Sequence, residues 1–469
     1  MSTLTEPRAA RVGARRAPLW LAIAAVSLPM FMATLDNLVM TSALPVIQAD
    51  LHASVGDLSW FMNAYTLAFA TFMLPAATLG DRIGRRRVMV AGIAIFTLAS
   101  ICSALSDSSS TLIAARAAQG FGAAAIMPLS LTLLAANVPD RLRPAAIGIW
   151  GGVSGLGVAL GPVVGGAVVQ GVSWQAIFWL NVPVAILALP LVLAVVGESR
   201  GAWQRLDLAG ALMIGGAVFL GIWGIVHGND DGWGSGRVLT PLVIAALLLP
   251  LYVGWARRRP DAVLPLRLFV SRSFTTANLV ALGFTVGMFG AVFLLSQYLQ
   301  VVQGYTPLGA GVRTLPWTAA PMVVAPLAGM LAGRIGVRPL LLVGLALQAG
   351  SLAWFAGLTE AGSPYSAFVP ALVMAGVGMG LVFPSVSNAV LDGLPEGDFA
   401  VASSANSTIR EFGVALGVAL LTAVFESCGG HIAPDGYAGA IGPALLTGSG
   451  AVALALVAAL FTPRRAPVR

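Results

Sequence analysis

Runs of about twenty apolar residues, separated by short polar breaks, recur from one end of this 469-residue chain to the other. Wound as α-helices at about 1.5 Å per residue, such runs can cross a hydrocarbon core of about 30 Å. The pattern predicts fourteen spans, near 18–46, 57–79, 87–106, 110–136, 144–169, 174–196, 207–228, 238–256, 275–302, 308–333, 339–357, 366–390, 400–426 and 441–462. Hydrophobic residues make up 58% of the chain and charged residues 10%, against roughly 25% charged in a soluble domain. The expected fold class is an all-α polytopic membrane protein.

The polar breaks carry the orientation. All 26 cationic residues are Arg and none is Lys, a bias that points to a GC-rich bacterial genome rather than to chemistry. With fourteen spans, the N-terminus and every second loop hold 22 arginines, and the opposite loops hold only Arg237. Arg116, Arg313 and Arg410 fall within spans or at their ends. Arginine-rich loops stay cytoplasmic, so both termini are expected on the cytoplasmic side of a bacterial inner membrane. The net charge of +7 follows the lipid bilayer and offers no nucleic-acid patch. Residues 1–17 read as a cytoplasmic tail before an uncleaved first helix. Cys102 and Cys428 make no disulfide framework, and His52, His227 and His431 are scattered. There is no P-loop, and Gly376-Val-Gly-Met-Gly380 follows no strand. The expectation is a protein that is not an enzyme, with no catalytic residue, metal or cofactor.

The chain also repeats itself. Leu79-Gly-Asp-Arg-Ile-Gly-Arg-Arg86 recurs 252 residues later as Leu331-Ala-Gly-Arg-Ile-Gly-Val-Arg338. At an offset of 256, Gly120, Gly122, Pro128, Pro139, Gly157 and Gly161 match Gly376, Gly378, Pro384, Pro395, Gly413 and Gly417. This divides the chain into a six-helix half over 18–197, two inserted helices within 205–257, a cytoplasmic linker over 258–274 and a second six-helix half over 275–463. Repeated halves flanking a midplane cavity mark alternating-access carriers.

Several stretches resemble one family. Ala77-Thr-Leu-Gly-Asp81-Arg82-Ile-Gly84-Arg85-Arg86-Arg87 resembles the loop between helices two and three of the major facilitator superfamily. Arg116-Ala-Ala-Gln119-Gly120-Phe-Gly122 resembles its fourth-helix motif, and Gly157-Val-Ala-Leu-Gly161-Pro162-Val-Val-Gly165-Gly166 its antiporter motif on helix five. Leu35-Asp36 with Ala43-Leu44-Pro45, Phe178-Trp-Leu-Asn181-Val-Pro183, and Tyr298-Leu-Gln300 with Gly304-Tyr305 are similar to the fourteen-helix drug:H⁺ antiporter branch. The resemblance spans nearly the whole chain. It implies the major facilitator fold and a monomer exchanging a lipophilic small molecule for protons.

Physical chemistry assigns the candidate residues. A carboxylate inside hydrocarbon costs several kcal/mol unless neutralised or paired, so Asp36 marks an ion path. It lies about 24 Å along the first helix, and Arg116 about 8 Å inward from the opposite start of the fourth. Both fall in the outer third, as a switchable pair for proton coupling or as a static ion pair. Asp81 sits among Arg82, Arg85 and Arg86 around Gly84, where an acid does not help orientation; it suits a latch onto the N-terminal dipole of helix thirteen. Gly157, Gly161 and Gly165 form one small face, which with Pro162 and Gly166 suits a tight outer seal between halves, or ordinary close packing. Arg410 and Glu411 lie about 15 Å into helix thirteen, pointing about 100° apart; Glu411 is a second proton-site candidate. Asn63, Tyr65, Tyr298, Gln300, Asn388 and Asn406, with Arg410, are candidates for the polar lining of a substrate cavity. Rival readings are an H⁺-coupled uptake symporter, which the Gly161-Pro162 motif argues against, and a non-transporting sensor or assembly subunit, which should tolerate loss of Asp36.

Overall fold

A computed structural model describes residues 18–139, 143–200, 207–259, 262–359, 363–394 and 399–463. Seventeen α-helices and one 3-10 turn, Leu266–Val270, make up the regular structure of these residues. In chain order the helices are α1 (Leu19–Leu51), α2 (Val55–Ile83), α3 (Arg85–Ala104), α4 (Ser109–Asn137), α5 (Arg143–Gly171), α6 (Ala176–Trp179) and α7 (Asn181–Val195). Next come α8 (Leu208–Val226), α9 (Gly228–Asp231), α10 (Gly236–Ala256), α11 (Arg272–Val301), α12 (Pro307–Thr318) and α13 (Ala320–Ile335). The chain closes with α14 (Val337–Ala356), α15 (Tyr365–Leu391), α16 (Phe399–Ser427) and α17 (Pro434–Ala459). The expected N-terminal tail, 1–17, lies outside the described residues.

Among the described residues, twelve helical spans are long and apolar enough to cross a membrane. Two of them are broken: α6 and α7 together form one, and α12 runs into α13 to form another. The expected sixth and tenth spans are thus each interrupted, at Leu180 and at Ala319. The expected count of fourteen also includes α2 and α5, both 29 residues long but outside that set of twelve.

Local chemistry sets the helix starts. Ser54 accepts from the Asp57 amide while Asp57 returns the bond to the Ser54 amide, a reciprocal cap on α2. Ser108, Asp207, Ser271 and Thr306 cap α4, α8, α11 and α12 through one backbone N–H each. The turn between α2 and α3 pivots on Gly84 at φ +123°, and the turn between α13 and α14 on Gly336 at φ +79°. These are the two copies of the repeated Arg-Ile-Gly step. A left-handed residue joins two long helices in both places, which only glycine adopts without strain.

The repeat extends into packing. A Cβ on Gly122 would lie 2.8 Å from the Gly92 carbonyl oxygen, and one on Gly378 would lie 2.7 Å from that of Gly344. Gly120 lies against the backbone of Tyr65, and Gly376 against that of Trp317. Helices α3 and α4 therefore cross as α14 and α15 do, backbone on backbone, as small residues permit. Helices α1–α7 pack into one group and α11–α17 into another.

The two groups meet where α1, α5 and α11 finish and α2 and α12 begin. There the Ser296 hydroxyl donates to the Thr41 carbonyl at 3.1 Å, and the Gln300 amide to that of Ser42 at 3.2 Å. Helices α8 and α10 pair with each other, and α8 lies over the seam between α2 and α16. Its Ile222 is fully buried with Trp60, Ala64 and Leu67 of α2 and Ala415 and Ala419 of α16.

Replacing Gly122 with Leu should force α3 and α4 apart, costing about 1–3 kcal/mol or more and lowering the detergent-solubilised melting temperature by several degrees. Gly329→Leu, at a position with nothing within 4 Å of the added Cβ, should leave it unchanged. Equal melting curves for the two variants would contradict the close crossing.

Candidate functional site

Asp36 lies in the middle of α1 with 4% of its surface exposed, and Arg116 on α4 is fully buried. Their side chains meet, with Arg116 Nη1 donating to Asp36 Oδ2 at 2.5 Å. The expected pair is therefore formed. It has a shell that pattern-reading did not foresee. Gln119, one helical turn beyond Arg116, donates from Nε2 to Asp36 Oδ1 at 3.2 Å and accepts from Arg116 Nη1 on Oε1 at 2.9 Å. Asn181, the first residue of α7, donates to the same Oδ1 at 2.6 Å. Ser100 of α3 accepts from both amides, at 2.7 Å from Gln119 and 3.1 Å from Asn181. Ser103 donates to Gln119 Oε1 at 3.2 Å. Arg116 Nε donates to the Phe61 carbonyl, and its guanidinium carbon lies 4.5 Å from the Tyr65 ring centroid. Five helices thus converge on one carboxylate, and Gln119, Asn181, Ser100 and Ser103 are all buried.

On α5, the glycine stripe does something different from what its sequence suggests. Gly157, Gly161 and Gly165 face α1, where an added Cβ would meet Thr34, Leu38 and Val39. The stripe therefore brings α5 against α1 within the first group rather than sealing the two groups together. The adjacent face makes the crossing: a Cβ on Gly166 would strike the Pro307 carbonyl, and one on Gly311 of α12 would strike that of Pro162. The Pro162 carbonyl also accepts from the Ser42 hydroxyl of α1 at 2.9 Å.

In the α2–α3 turn, Arg85 Nε donates to Asp81 Oδ1 at 2.7 Å. Asp81, in the last turn of α2, is thus paired in this state with Arg85 at the start of α3; the latch onto the start of α16 is expected when the cytoplasmic side is closed. Glu198, just beyond α7, accepts from the Arg86 amide at 2.9 Å and lies 3.8 Å from Arg87. Arg86 Nη1 donates to the Leu193 and Val196 carbonyls at the end of α7. Arg82 lies in the last turn of α2.

The expected polar lining does not converge. Tyr298 is fully buried, its hydroxyl between the Leu358 carbonyl and the Gln303 amide. Gln300 belongs to the junction between the groups, and Tyr65 donates to the Ala33 carbonyl beneath Arg116. Asn406 donates to Asn278 at 3.0 Å, between α16 and α11. Each is taken up because a polar group buried among helices finds the nearest backbone or side-chain partner. Asn388 is exposed on the last turns of α15. Asn63 is fully buried with neither side-chain atom hydrogen-bonded. Arg410 places its guanidinium carbon 4.8 Å from the Phe383 ring centroid, with Nε unpartnered. Glu411, the next residue, points about 100° away on the same helix.

Ser100 and Ser103 left no trace in the sequence reading, since a serine in an apolar helix ordinarily bonds back to its own backbone. Ser100 does that as well, donating to the Phe96 carbonyl at 2.9 Å while accepting from the two amides.

Breaking a buried ion pair from one side costs about 3–5 kcal/mol. Arg116→Ala should destabilise the protein on that scale, and adding Asp36→Asn should recover a substantial part of the loss. Melting curves of the single and double variants decide it: additive losses would mean the two residues are not coupled.

The family model described as Major Facilitator Superfamily matches residues 26–418 of this chain. The tetracenomycin C resistance and export protein of Streptomyces glaucescens is 33% identical, covering 89% of this chain and 78% of its own. The multidrug resistance protein Stp of Mycobacterium tuberculosis is 35% identical, over 87% of this chain and 76% of its own. Among solved structures, a POT family transporter in complex with 5-aminolevulinic acid superposes with a TM-score of 0.68 at 16% identity, covering 94% of this chain and 96% of its own. With a family match across most of its length and helices gathered as the fold requires, the chain belongs to the Major Facilitator Superfamily.

Proposed function

We propose that this protein exports lipophilic small molecules, antibiotics or dyes among them, in exchange for protons entering the cell. The observation that carries the reading is the buried Asp36–Arg116 pair, the one fully enclosed ion pair among the described residues. Relatives named for antibiotic resistance and export supply the direction of transport. Deprotonated, Asp36 is held by Arg116; protonation neutralises the carboxylate and loosens that hold. A change in one side chain can then bias the packing of α1 against α4 and α7. Glu411, with Arg410 beside it in the second group, is the candidate for a further titrating site.

In this reading the chain crosses a bacterial inner membrane fourteen times, with α2 and α5 added to the twelve apolar spans, and acts as a monomer. Two six-helix halves, 18–197 and 275–463, rock about a midplane cavity. The junction through Pro162, Gly166, Pro307 and Gly311 is the outer gate, closed while the cytoplasmic side is open. Asp81 is the latch of the opposite gate. Held by Arg85 in this state, it is passed to the N-terminus of α16 when the cytoplasmic side closes. The bilayer delivers the lipophilic substrate.

Two experiments test this. In proteoliposomes with an imposed ΔpH, Asp36→Asn should abolish uphill accumulation of a fluorescent lipophilic dye while keeping some downhill exchange. Accumulation at the parent level by that variant would falsify Asp36 as the proton carrier. For orientation, cysteines placed at Arg87 and Gly234 in a background lacking Cys102 and Cys428 should react with an impermeant reagent from opposite faces, Arg87 from the cytoplasm. Labelling of both positions from the same face would remove the fourteen-span topology.

A further inference from the structure

The hydrogen bonds around Asp36 differ at its two oxygens. Oδ2 accepts a charge-assisted hydrogen bond from the guanidinium of Arg116. Oδ1 faces two neutral amides, Gln119 and Asn181. A proton arriving at the carboxylate therefore has one oxygen open to it. At Oδ2 it would displace a charge-assisted bond; at Oδ1 it meets only amide N–H donors, which can be turned away.

The two amides are not equally able to turn. Gln119 is fixed at both ends: Nε2 donates to Asp36 and Ser100, and Oε1 accepts from Arg116 and Ser103. Reversing it would aim its carbonyl at Asp36 and its N–H groups at the guanidinium, leaving only the Ser103 hydroxyl to accept them. Asn181 is fixed at one end only. Its Nδ2 donates to Asp36 and to Ser100, while its Oδ1 accepts no hydrogen bond from the described residues. Turned over, that free carbonyl oxygen would accept the O–H of a protonated Asp36. Asn181 also stands at the break between α6 and α7, which follows Leu180.

Around Asp36 the charged and titratable side chains are few. Arg116 comes from α4 and Tyr65, beneath that guanidinium, from α2. Helix α3 contributes Ser100 and Ser103, α5 its glycine face and α7 Asn181. Glu411 of α16 lies beyond this shell, within electrostatic reach of Tyr65.

We infer that Asn181 is the positioning residue that reads the protonation of Asp36, donating to Oδ1 of the carboxylate and turning its amide to accept from the carboxylic acid. The step adds one proton to Oδ1, forming an O–H bond whose new partner is Asn181 Oδ1. No other covalent bond changes, and Arg116 still faces Oδ2, now the carbonyl oxygen of a neutral acid that it holds less firmly. The break at the start of α7 receives the reorientation, so the proton's arrival is felt by a helix that carries no charge at the site. The inference rests on Asp36 being the proton carrier.

The test is infrared difference spectroscopy of the full-length protein in lipid between acidic and neutral pH, run beside ΔpH-driven and downhill dye flux. The carboxylic C=O band missing in Asp36→Asn belongs to Asp36. In Asn181→Leu, which keeps bulk but neither donates nor accepts, that band should move to higher frequency. Uphill accumulation should be lost or its pH profile displaced, with downhill exchange retained. Asn181→Asp, of the same size and able when protonated to donate and accept, should restore part of the uphill flux with its own displaced pH profile, and serves if the leucine variant does not fold. A band and pH profile unchanged in both Asn181 variants would overturn the inference and leave Asn181 a packing residue. If Asp36→Asn itself keeps the band and the uphill flux, proton carriage by Asp36 fails first, and this inference with it.

Discussion

A charge inside hydrocarbon must be given partners by the protein, because the lipid offers none. Here that demand falls on Asp36, and its satisfaction organises the first helix group. The carboxylate alone would cost about 2.5–3.5 kcal/mol at a bilayer centre on the insertion scale. Arg116 neutralises it, but the guanidinium brings donors of its own that need acceptors. Gln119 and the Phe61 carbonyl take two of them, and Arg116 Nη2 is left without a partner. Around one ion pair the structure has therefore fixed the rotation of α1, the depth of α4, the face of α3 and the start of α7. The second group has Val292 and Leu372 where the offset of 256 maps Asp36 and Arg116, and its α14–α15 crossing forms without any buried charge.

Glycine supplies the second constraint. The helices of each group approach until backbone meets backbone, and a single methyl group at Gly120, Gly122, Gly376 or Gly378 would meet atoms of the neighbouring helix at less than 3 Å. Close crossings of this kind set the distance at which side-chain amides can bridge three helices. Ser100, reached by both Gln119 and Asn181, lies on the α3 face that Gly92 and Gly122 bring against α4. Packing and chemistry at the site are one problem solved by the same residues.

Much of this was legible in the sequence for identifiable reasons. Apolar length gave the helices, and the rise per residue placed Asp36 and Arg116 at one depth before any coordinates. The Arg-Ile-Gly step was a sound marker of the repeat because both copies need a positive φ at glycine. What failed was direction around the helix axis. A stripe of glycines announces a close neighbour without naming it: Gly157, Gly161 and Gly165 face α1, while Pro162 and Gly166 on the adjacent face meet α12 of the other group. Tyr298, Gln300 and Asn406 were picked as cavity groups by polarity alone. Whether a buried polar side chain finds a nearby carbonyl depends on the packing of neighbouring helices, which a one-dimensional pattern does not hold. Asn181 stood in a recognisable stretch, yet only the packing of α7 against α1 and α3 brings its amide onto Asp36.

The position of α8 has a mechanical consequence. It touches α2 of one group through Gly215 against Thr71 and through Phe219 and Trp223 around the Trp60 ring, and α16 of the other through Ile222 beside Ala415 and Ala419. At its start, Asp207 accepts from the Trp255 indole and the Val263 amide, tying α8 to α10 and to the segment leading into the second group. Pinned at one end and keyed to α2 by aromatic rings, α8 is smooth only toward α16, where Ala415 and Ala419 lie beside Ile222. Any motion that changes the angle between α2 and α16 must slide at least one of them along it, and the Trp60 ring set against Phe219 and Trp223 resists sliding on the α2 side. The seam is therefore unequal on its two sides: a change of angle is taken up where α16 slides past α8, while α2 carries α8 with it.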